Sequence, residues 1–205
     1  MEIITIKNNM TDQNCYLLKE GNSGILIDPG AKEEDILSAI SGLEIKYILL
    51  THCHFDHIEY LEEIRKKTDA LVIGSINLEK NISDDFINVS AMFGSEKIFS
   101  GPDIILNDGE DIETKVGKIK CLYTPGHTDC SVSYLIGDNL FTGDTLFAGS
   151  VGRWDLATAN VNSLVNSIKK VLYKLDDNLK VYPGHGNDTT IGYEKKFNPC
   201  IKADK

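Results

Sequence analysis

The sequence contains little that would anchor it in a membrane or cross-link it covalently. No apolar run approaches the ~18 residues that cross a bilayer, and the N-terminus Met1-Glu2-Ile3-Ile4 has neither the basic nor the apolar segment of a secretory signal. The 5 cysteines are an odd number, are widely spread and form no C-x-x-C pair, which disfavours a disulfide framework. We therefore expect no membrane span, reduced thiols and a cytoplasmic location.

Positive charge is also scarce, because 21 Lys and Arg residues stand against 31 Asp and Glu residues for a formal net charge of -10. Nucleic-acid binding draws most of its affinity from basic side chains that neutralise phosphates, so we expect no nucleic-acid partner. The length of 205 residues, the apolar fraction of 41% and the lack of repeats or linkers are typical of a single globular domain. We predict one domain over residues 1–205, acting as a monomer or small homo-oligomer.

Short apolar runs that end in Gly, Pro or Asp predict many strands. We expect them at residues 2–7, 14–19, 23–27, 47–50, 70–74, 104–106, 112–114, 118–122, 131–136, 139–141 and 180–182. Helical spacing of apolar residues predicts helices at 32–41, 58–67 and 161–175. Residues 75–101 are polar and broken, which leaves open whether they form a lid over a site or a mere connection.

All 5 histidines of the chain follow strand-like runs. They are His52, His54, His57, His127 and His185. In an extended segment alternate residues share a face, so His52, His54 and Asp56 would point one way while His57 begins the next helix. Imidazole nitrogens combined with carboxylate oxygens suit zinc, iron or manganese. The pattern therefore predicts a metal site.

The number of candidate ligands favours two ions over one. Five histidines and Asp56 exceed what one tetrahedral ion can use, but they fit two ions that share a ligand. Asp144, in Thr142-Gly143-Asp144, is the candidate for the shared ligand. An aspartate that follows a glycine is also an ordinary turn residue, and its local sequence alone leaves both interpretations open.

Four motifs occur in a fixed order along the chain. They are H-x-H-x-D-H at 52–57, T-P-G-H-T at 124–128, G-D-T-L-F-A-G-S-V-G-R-W at 143–154 and Y-P-G-H-G at 182–186. In these motifs the sequence resembles the metallo-β-lactamase superfamily, and within it the short, single-domain members of the glyoxalase II (hydroxyacylglutathione hydrolase) type. The resemblance implies an α/β (α+β) fold, a four-layer αββα sandwich with its site at one edge between two sheets.

The resemblance also implies roles for these residues. It assigns His52, His54 and His127 to a first divalent ion. It assigns Asp56, His57 and His185 to a second ion, with Asp144 as the bridge. Zinc is the first expectation for both ions, with iron and manganese as alternatives.

The reaction that the resemblance implies is thioester hydrolysis, in which a hydroxide held between the two ions and oriented by Asp56 attacks the carbonyl. A thiol of pKa about 8.5 departs unaided, whereas an amine needs a proton, and no sixth histidine is present to supply one. We therefore expect a small-molecule thioester as substrate. Arg153, in a G-R-W-D sequence, is the candidate for contact with a substrate carboxylate, although an ion pair with Asp155 is the favoured interpretation.

Departures from the family pattern narrow the expected activity. Asp144 stands where several true β-lactamases have cysteine, which disfavours antibiotic hydrolysis. About twenty residues follow His185, too few for the glutathione-binding helices of longer glyoxalase II proteins, so the natural thiol stays open. Tail residues Tyr193, Lys195, Lys196 and Asn198 stand where the chain could return to the site. The alternatives are a persulfide dioxygenase with a single iron, and a nuclease or non-catalytic metal-binding module.

Overall fold

Two six-stranded sheets form the centre of the protein in the computed structural model, which describes residues 1–203. The strands of the first sheet are β1 (Glu2–Lys7), β2 (Asn14–Glu20), β3 (Ser23–Ile27), β4 (Glu44–Leu49), β5 (Leu71–Gly74) and β6 (Ile104–Ile105). They lie side by side in that order; β1 to β3 are antiparallel, and β3 to β6 are parallel. Parallel neighbours bring their carboxyl ends to the same edge of the sheet.

The second sheet repeats this mixture of parallel and antiparallel pairing. Its strands are β7 (Asp111–Glu113), β8 (Lys118–Tyr123), β9 (Val132–Ile136), β10 (Asn139–Gly143), β13 (Lys180–Pro183) and β14 (Thr189–Thr190). Their spatial order is β14-β13-β10-β9-β8-β7, with β10 and β13 parallel and the other pairs antiparallel. A small hairpin of β11 (Leu146–Phe147) and β12 (Ser150–Val151) branches off after β10.

Helices cover the outer faces of both sheets. They are α1 (Glu33–Ala39), α2 (Phe55–Ile58), α3 (Leu61–Thr68), α4 (Ile76–Asn81), α5 (Val161–Asn166) and α6 (Ile191–Phe197). Apolar residues of α1 to α4 pack on the first sheet, and those of α5 and α6 pack on the second. This arrangement confirms the predicted four-layer αββα sandwich. Within residues 1–203 no helix is long and apolar enough to cross a membrane.

Alternation along the strands builds the layers, because successive side chains of a strand point to opposite faces. In β2, Leu17 packs toward the helices, while Tyr16 and Leu18 pack between the sheets. In β4, Ile48 faces the helices and Leu49 faces the second sheet. Each fully buried leucine or isoleucine contributes about 1.5–3 kcal/mol to the free energy of folding. Apolar burial on both faces therefore stabilises the position of the first sheet between the helices and the second sheet.

Three helical segments differ from expectation. The segment predicted as one helix over 58–67 is divided between α2, which ends at Ile58, and α3, which begins at Leu61. The segment predicted as one helix over 161–175 is α-helical in α5, continues as a wider π-helical turn over Ser167–Val171 and ends as a 3-10 turn over Leu172–Lys174. Leu164, Ile168 and Leu172 of its apolar stripe are still buried against the second sheet, and the other stripe residues are partly buried beside them. The sequence pattern did not predict α6, which occupies most of the tail.

Five of the loops that carry polar residues start at the carboxyl ends of strands. Asp28 follows β3, Thr51 and His52 follow β4, and His127 lies a few residues after β8. Asp144 follows β10 directly, and His185 comes two residues after β13. The two sheets therefore bring these loops together at one edge of the sandwich, where open sheets commonly bind ligands.

Candidate metal centre

The loop after β4 changes from extended chain to helix within the histidine motif. His54 has extended dihedral angles (φ -65°, ψ 144°) and precedes α2, which begins at Phe55. Asp56 and His57 therefore lie in the first helical turn. This corrects the prediction that Asp56 shares a face with His52 and His54, since alternation holds only while the chain is extended.

The first ligand group consists of His52, His54 and His127. All three side chains are buried, and a nitrogen of each lies within 4.8 Å of a nitrogen of the others. The His54 Nδ1 and His127 Nε2 atoms are 2.8 Å apart. These are the three residues that the resemblance assigned to one ion, brought together from the ends of β4 and β8.

The second ligand group consists of Asp56, His57 and His185, whose ligand atoms also lie within 4.8 Å of one another. The Nε2 atom of His185 is 3.3 Å from Asp56 Oδ2 and 3.4 Å from His57 Nε2. The isolated β-bridge between Gln13 and His185 joins this group to the start of β2.

Asp144 stands between the two groups. Its Oδ1 atom is 3.2 Å from His57 Nε2. Its Oδ2 atom is 3.6 Å from His127 Nε2 and 3.5 Å from His185 Nε2. One carboxylate therefore reaches imidazoles of both groups, which is the position that a shared ligand requires.

Hydrogen bonds on the far side of the rings indicate which ring nitrogen carries the proton. The Nδ1 atoms of His127 and His185 face the carbonyl oxygens of Arg153 (2.8 Å) and Thr11 (3.1 Å), so each must donate its N–H there. The Nδ1 atom of His57 lies 2.9 Å from a carboxylate oxygen of Asp28. In each neutral ring Nε2 is then left with a lone pair directed at the cluster.

His52 follows the same rule through Thr51. The Thr51 hydroxyl donates to Asp28 Oδ2 at 2.6 Å and lies 3.0 Å from His52 Nδ1, which therefore donates to it. The Nε2 atom of His52 is buried without a hydrogen-bond partner, as is Asp144 Oδ1. Buried polar atoms without partners are costly. Lone pairs and carboxylates that face each other without partners fit bound cations, so this donor set is suitable for a metal site.

Gly184 makes room for this arrangement. A Cβ atom at this position would clash with Asp144 Oδ1 and would lie 2.6 Å from His57 Cε1. The Pro-Gly-His sequence at the end of β13 thus allows the backbone to approach the shared carboxylate more closely than any residue with a side chain could.

Asp28 is a buried residue of the candidate site whose contacts the sequence reasoning missed. It is buried and has a positive φ of 51°, and its carboxylate accepts hydrogen bonds from the Thr51 N–H (2.8 Å), the Thr51 hydroxyl and His57 Nδ1. Carboxylates that hold metal-binding histidines in this way orient the rings and raise their basicity. The available signal was an acidic residue at the carboxyl end of a strand, in Asp28-Pro29-Gly30.

The charges of the cluster divide the imidazoles into two kinds in the metal-free protein. Burial lowers the pKa of His54 to about 3, and burial together with His57 and His54 holds the pKa of His52 well below its usual range. Burial also opposes the charged form of His57, but Asp144 and Asp56 outweigh it and raise its pKa well above 6.5. The pKa of Asp144 is held well below its usual range, because neighbouring imidazoles, His57 foremost, overcome its burial.

Arg153 and the tail residues, which were candidates for the site, make contacts with other parts of the chain. The guanidinium of Arg153 forms two hydrogen bonds to the carboxylate of Asp155, at 2.7 and 2.8 Å, and both side chains are exposed. In the tail, Lys195 pairs with Asp177, and Asn198 donates to the Ser150 carbonyl of the β11–β12 hairpin. Asn198 thus supports the hairpin that follows Asp144, and Lys195 pairs with the segment before β13, so neither side chain belongs to the cluster.

The fold and the cluster define a class, αββα sandwich proteins with a His/Asp site for metal between the sheet ends. A family model described as the metallo-β-lactamase superfamily matches residues 9–185. The chain belongs to this superfamily, which confirms the resemblance of the four motifs.

Curated relatives include hydrolases. The probable metallo-hydrolase YqgX of Bacillus subtilis is 36% identical over 196 residues, which cover 93% of this chain and 92% of the relative. The hydroxyacylglutathione hydrolase GloC of Haemophilus influenzae is 31% identical over 210 residues and 99% of both chains. The similarity to both relatives therefore extends over nearly the whole of this chain.

Solved structures with the same fold carry several different names. BLEG-1, described as a B3 metallo-β-lactamase, matches with a TM-score of 0.90 and 30% identity over 97% of this chain and 98% of its own. ETHE1 from Myxococcus xanthus matches at 0.82 and 30% identity over 98% and 84%. TTHA1623 in a di-iron-bound form matches at 0.81 and 32% identity over 97% and 100%. These neighbours agree on the family, but their different names do not determine which reaction this chain catalyses.

Proposed function

We propose that this protein is a dinuclear-metal hydrolase of small thioesters. The observation that carries the proposal is the position of Asp144, whose two oxygens lie 3.2–3.6 Å from imidazoles of both ligand groups. A single ion would use at most one of these groups, whereas two ions would use both and Asp144 would be available to each. Zinc is the first expectation, and the di-iron form of TTHA1623 makes iron the main alternative.

Each residue of the cluster has a role in this proposal. His52, His54 and His127 would hold one ion, and Asp56, His57 and His185 the other. Bound divalent ions would supply a Lewis acid for the carbonyl oxygen and a source of hydroxide at neutral pH. Asp28 and the backbone carbonyls of Thr11 and Arg153 hold protons on the far sides of the rings, which keeps the Nε2 atoms available as ligands. Asp56 would orient the attacking water.

The leaving group selects the substrate class. All 5 histidines of the chain lie in the cluster, so none is left to protonate an amine as it departs. A thiolate needs no such proton, because the pKa of a thiol is about 8.5. The similarity to GloC supports a thioester as the substrate. No nucleic-acid partner and a cytoplasmic location are part of the proposal, and the net charge of -10 supports the first.

A persulfide dioxygenase that uses a single iron is the second candidate. The specific observation in its favour is the similarity to ETHE1. This enzyme would need only one of the two ligand groups to be filled, so the number of bound ions separates the two candidates directly.

The test combines metal analysis with a substrate panel on one preparation. We expect about two ions per chain and hydrolysis of a lactoyl thioester, with no oxygen uptake on glutathione persulfide. A β-lactam belongs in the panel because of the similarity to BLEG-1. Asp56→Ala should lose activity, whereas Asp138→Ala, in an exposed turn at the opposite end of β10, should not. One iron with oxygen uptake, or a fully active Asp56→Ala enzyme, would overturn the proposal.

A further inference from the structure

Apolar side chains stand next to the second ligand group on two loops. Met10 is 89% exposed and precedes Thr11, whose carbonyl oxygen lies 3.1 Å from His185 Nδ1. The Phe147 ring, on the β11–β12 hairpin, lies 6.0 Å from the His185 ring. A molecule that reaches the cluster past His185 therefore passes the Phe147 ring, and Met10 is exposed on the neighbouring loop.

The first ligand group has apolar neighbours as well. Trp154 is 50% exposed and follows Arg153, whose carbonyl oxygen lies 2.8 Å from His127 Nδ1. Phe93 is 52% exposed and packs 5.2 Å from the ring of Phe55, which directly follows the ligand His54. Isolated exposed apolar residues need no explanation. Here three exposed apolar residues and the partly buried Phe147 lie on four segments that each adjoin a candidate ligand or its hydrogen-bond partner. We call this set, Met10, Phe93, Phe147 and Trp154, the apolar mouth.

The charged groups beside this mouth are balanced. The Arg153 guanidinium is engaged by both oxygens of the Asp155 carboxylate. A groove of about 440 Å³ lined by Ala148, which follows Phe147 on the hairpin, also contains one cation and one anion, Lys180 and Asp188. An anionic group of a substrate would therefore have to displace Asp155 from Arg153 or lie against apolar side chains.

We propose that the site prefers thioesters of an uncharged thiol over thioesters of an anionic thiol, and that Asp155 sets this preference by neutralising Arg153. The proposal rests on the thioesterase function above and names the class of its leaving group. A glutathione thioester carries two carboxylates and one ammonium group, so it is the disfavoured class. A thioester of N-acetylcysteamine carries no charge and represents the favoured one.

The readout is the ratio of kcat/KM for lactoyl-glutathione to kcat/KM for lactoyl-N-acetylcysteamine. Because both substrates share the acyl group, the ratio reports only the thiol. In the unaltered holoenzyme we expect a ratio below one. Asp155→Asn removes the competing carboxylate and should raise the ratio by about two- to fivefold, since an exposed ion pair is weak and its effect is correspondingly modest.

A second variant tests the mouth itself. Met10→Lys places a cation among the apolar side chains at a position so exposed that the fold does not depend on it, and it should also raise the ratio. Asp111→Asn is the matched control, because it removes the carboxylate of another exposed pair, with Lys118, on the edge strand β7. It makes the same change in net charge and should leave the ratio unchanged.

The outcomes separate this inference from the function on which it rests. Hydrolysis of both thioesters with a preference for lactoyl-glutathione overturns the inference and leaves the thioesterase proposal intact. An equal change in the ratio for Asp155→Asn and Asp111→Asn also overturns it, since net charge alone would then explain the result. Hydrolysis of neither thioester overturns both.

Discussion

Replacing Asp28 by asparagine tests how the cluster is held without disturbing the backbone. Asp28 has a φ of 51°, and asparagine tolerates this left-handed conformation about as well as aspartate does. The substitution keeps the shape of the side chain and turns one acceptor oxygen into an NH₂ donor. Its effect therefore measures the carboxylate alone.

The structure sets the size of the expected loss. One carboxylate oxygen accepts from the Thr51 N–H, and the other accepts from the Thr51 hydroxyl and His57 Nδ1. Whichever way the amide is turned, at least one buried donor loses its acceptor, at a cost of about 1–3 kcal/mol. If the His57 bond is lost, its ring is no longer fixed, and losses of about 10–100-fold in metal affinity are typical for such supporting residues.

The assay is metal affinity by chelator competition, with urea unfolding of the metal-free protein in parallel. We expect Asp28→Asn to bind metal at least tenfold more weakly and to unfold more easily by the amount above. Asp69→Asn is the control, because Asp69 has a φ of 54° at the end of α3, away from the cluster. Metal affinity of Asp28→Asn equal to that of Asp69→Asn would refute the reasoning.

Three further predictions concern stability. Gly184→Ala places a methyl group against the Asp144 carboxylate and should cost about 1–3 kcal/mol and reduce bound metal; a normal metal content would contradict it. Glu194→Ala leaves the Gly149 N–H and the Asn198 amide without their buried acceptor and should lower the free energy of unfolding by about 2–5 kcal/mol, more than Glu194→Gln does; equal losses would argue against it. With metal removed by a chelator, the free energy of unfolding should fall as pH drops from about 6.5 toward 4. The imidazoles of the first ligand group have lowered pKa values in the folded state, so they take up protons mainly on unfolding. The slope should be no more than about 1.4 kcal/mol per ring and pH unit. The pKa values of His57 and His185 are raised instead, so their stabilising contribution levels off below the ordinary histidine value of about 6.5 and cannot cancel the loss at lower pH. A flat urea midpoint across this window would count against that assignment.

The alternation of apolar and polar residues was sufficient to predict the first strands of the fold. The first three strands occupy nearly the ranges that alternation and turn residues predict, because both faces of these strands are set by their own apolar residues. The wider turn at Ser167 was not predictable, since an apolar stripe suits an α-helix and a π-helical turn equally. Its hydroxyl bonds to the Pro125 carbonyl, a residue more than forty positions away, and no local rule contains that contact.

In the candidate site too, the sequence predicted the features that depend on local residues and missed those that depend on distant contacts. Residue types and strand ends predicted a His/Asp cluster, because few other arrangements place every histidine of a chain after a strand. The expectation that Asp56 shares a face with His52 and His54 was wrong because a helix starts at Phe55, which alternation in a short motif does not reveal. The grouping of Asp56 with His57 and His185, which came from the resemblance, agrees with the structure. Asp28 was missed because its role lies in bonds to Thr51 and His57, which are adjacent only after β3 and β4 have paired.

The cluster also connects metal binding to the stability of the sandwich. His52 and Asp28 come from the first sheet, whereas His127, Asp144 and His185 come from the second. Ions bound between them would favour the packed sheets over any state in which the sheets separate, by an amount that grows with metal concentration. The buried His52 Nε2 and Asp144 Oδ1 atoms have no hydrogen-bond partner at this edge, and this cost acts in the opposite direction when metal is removed. Chelation should therefore lower the unfolding temperature of the whole domain and not merely abolish activity, and a thermal unfolding temperature unchanged by chelator would show that the edge is held by the sheets alone.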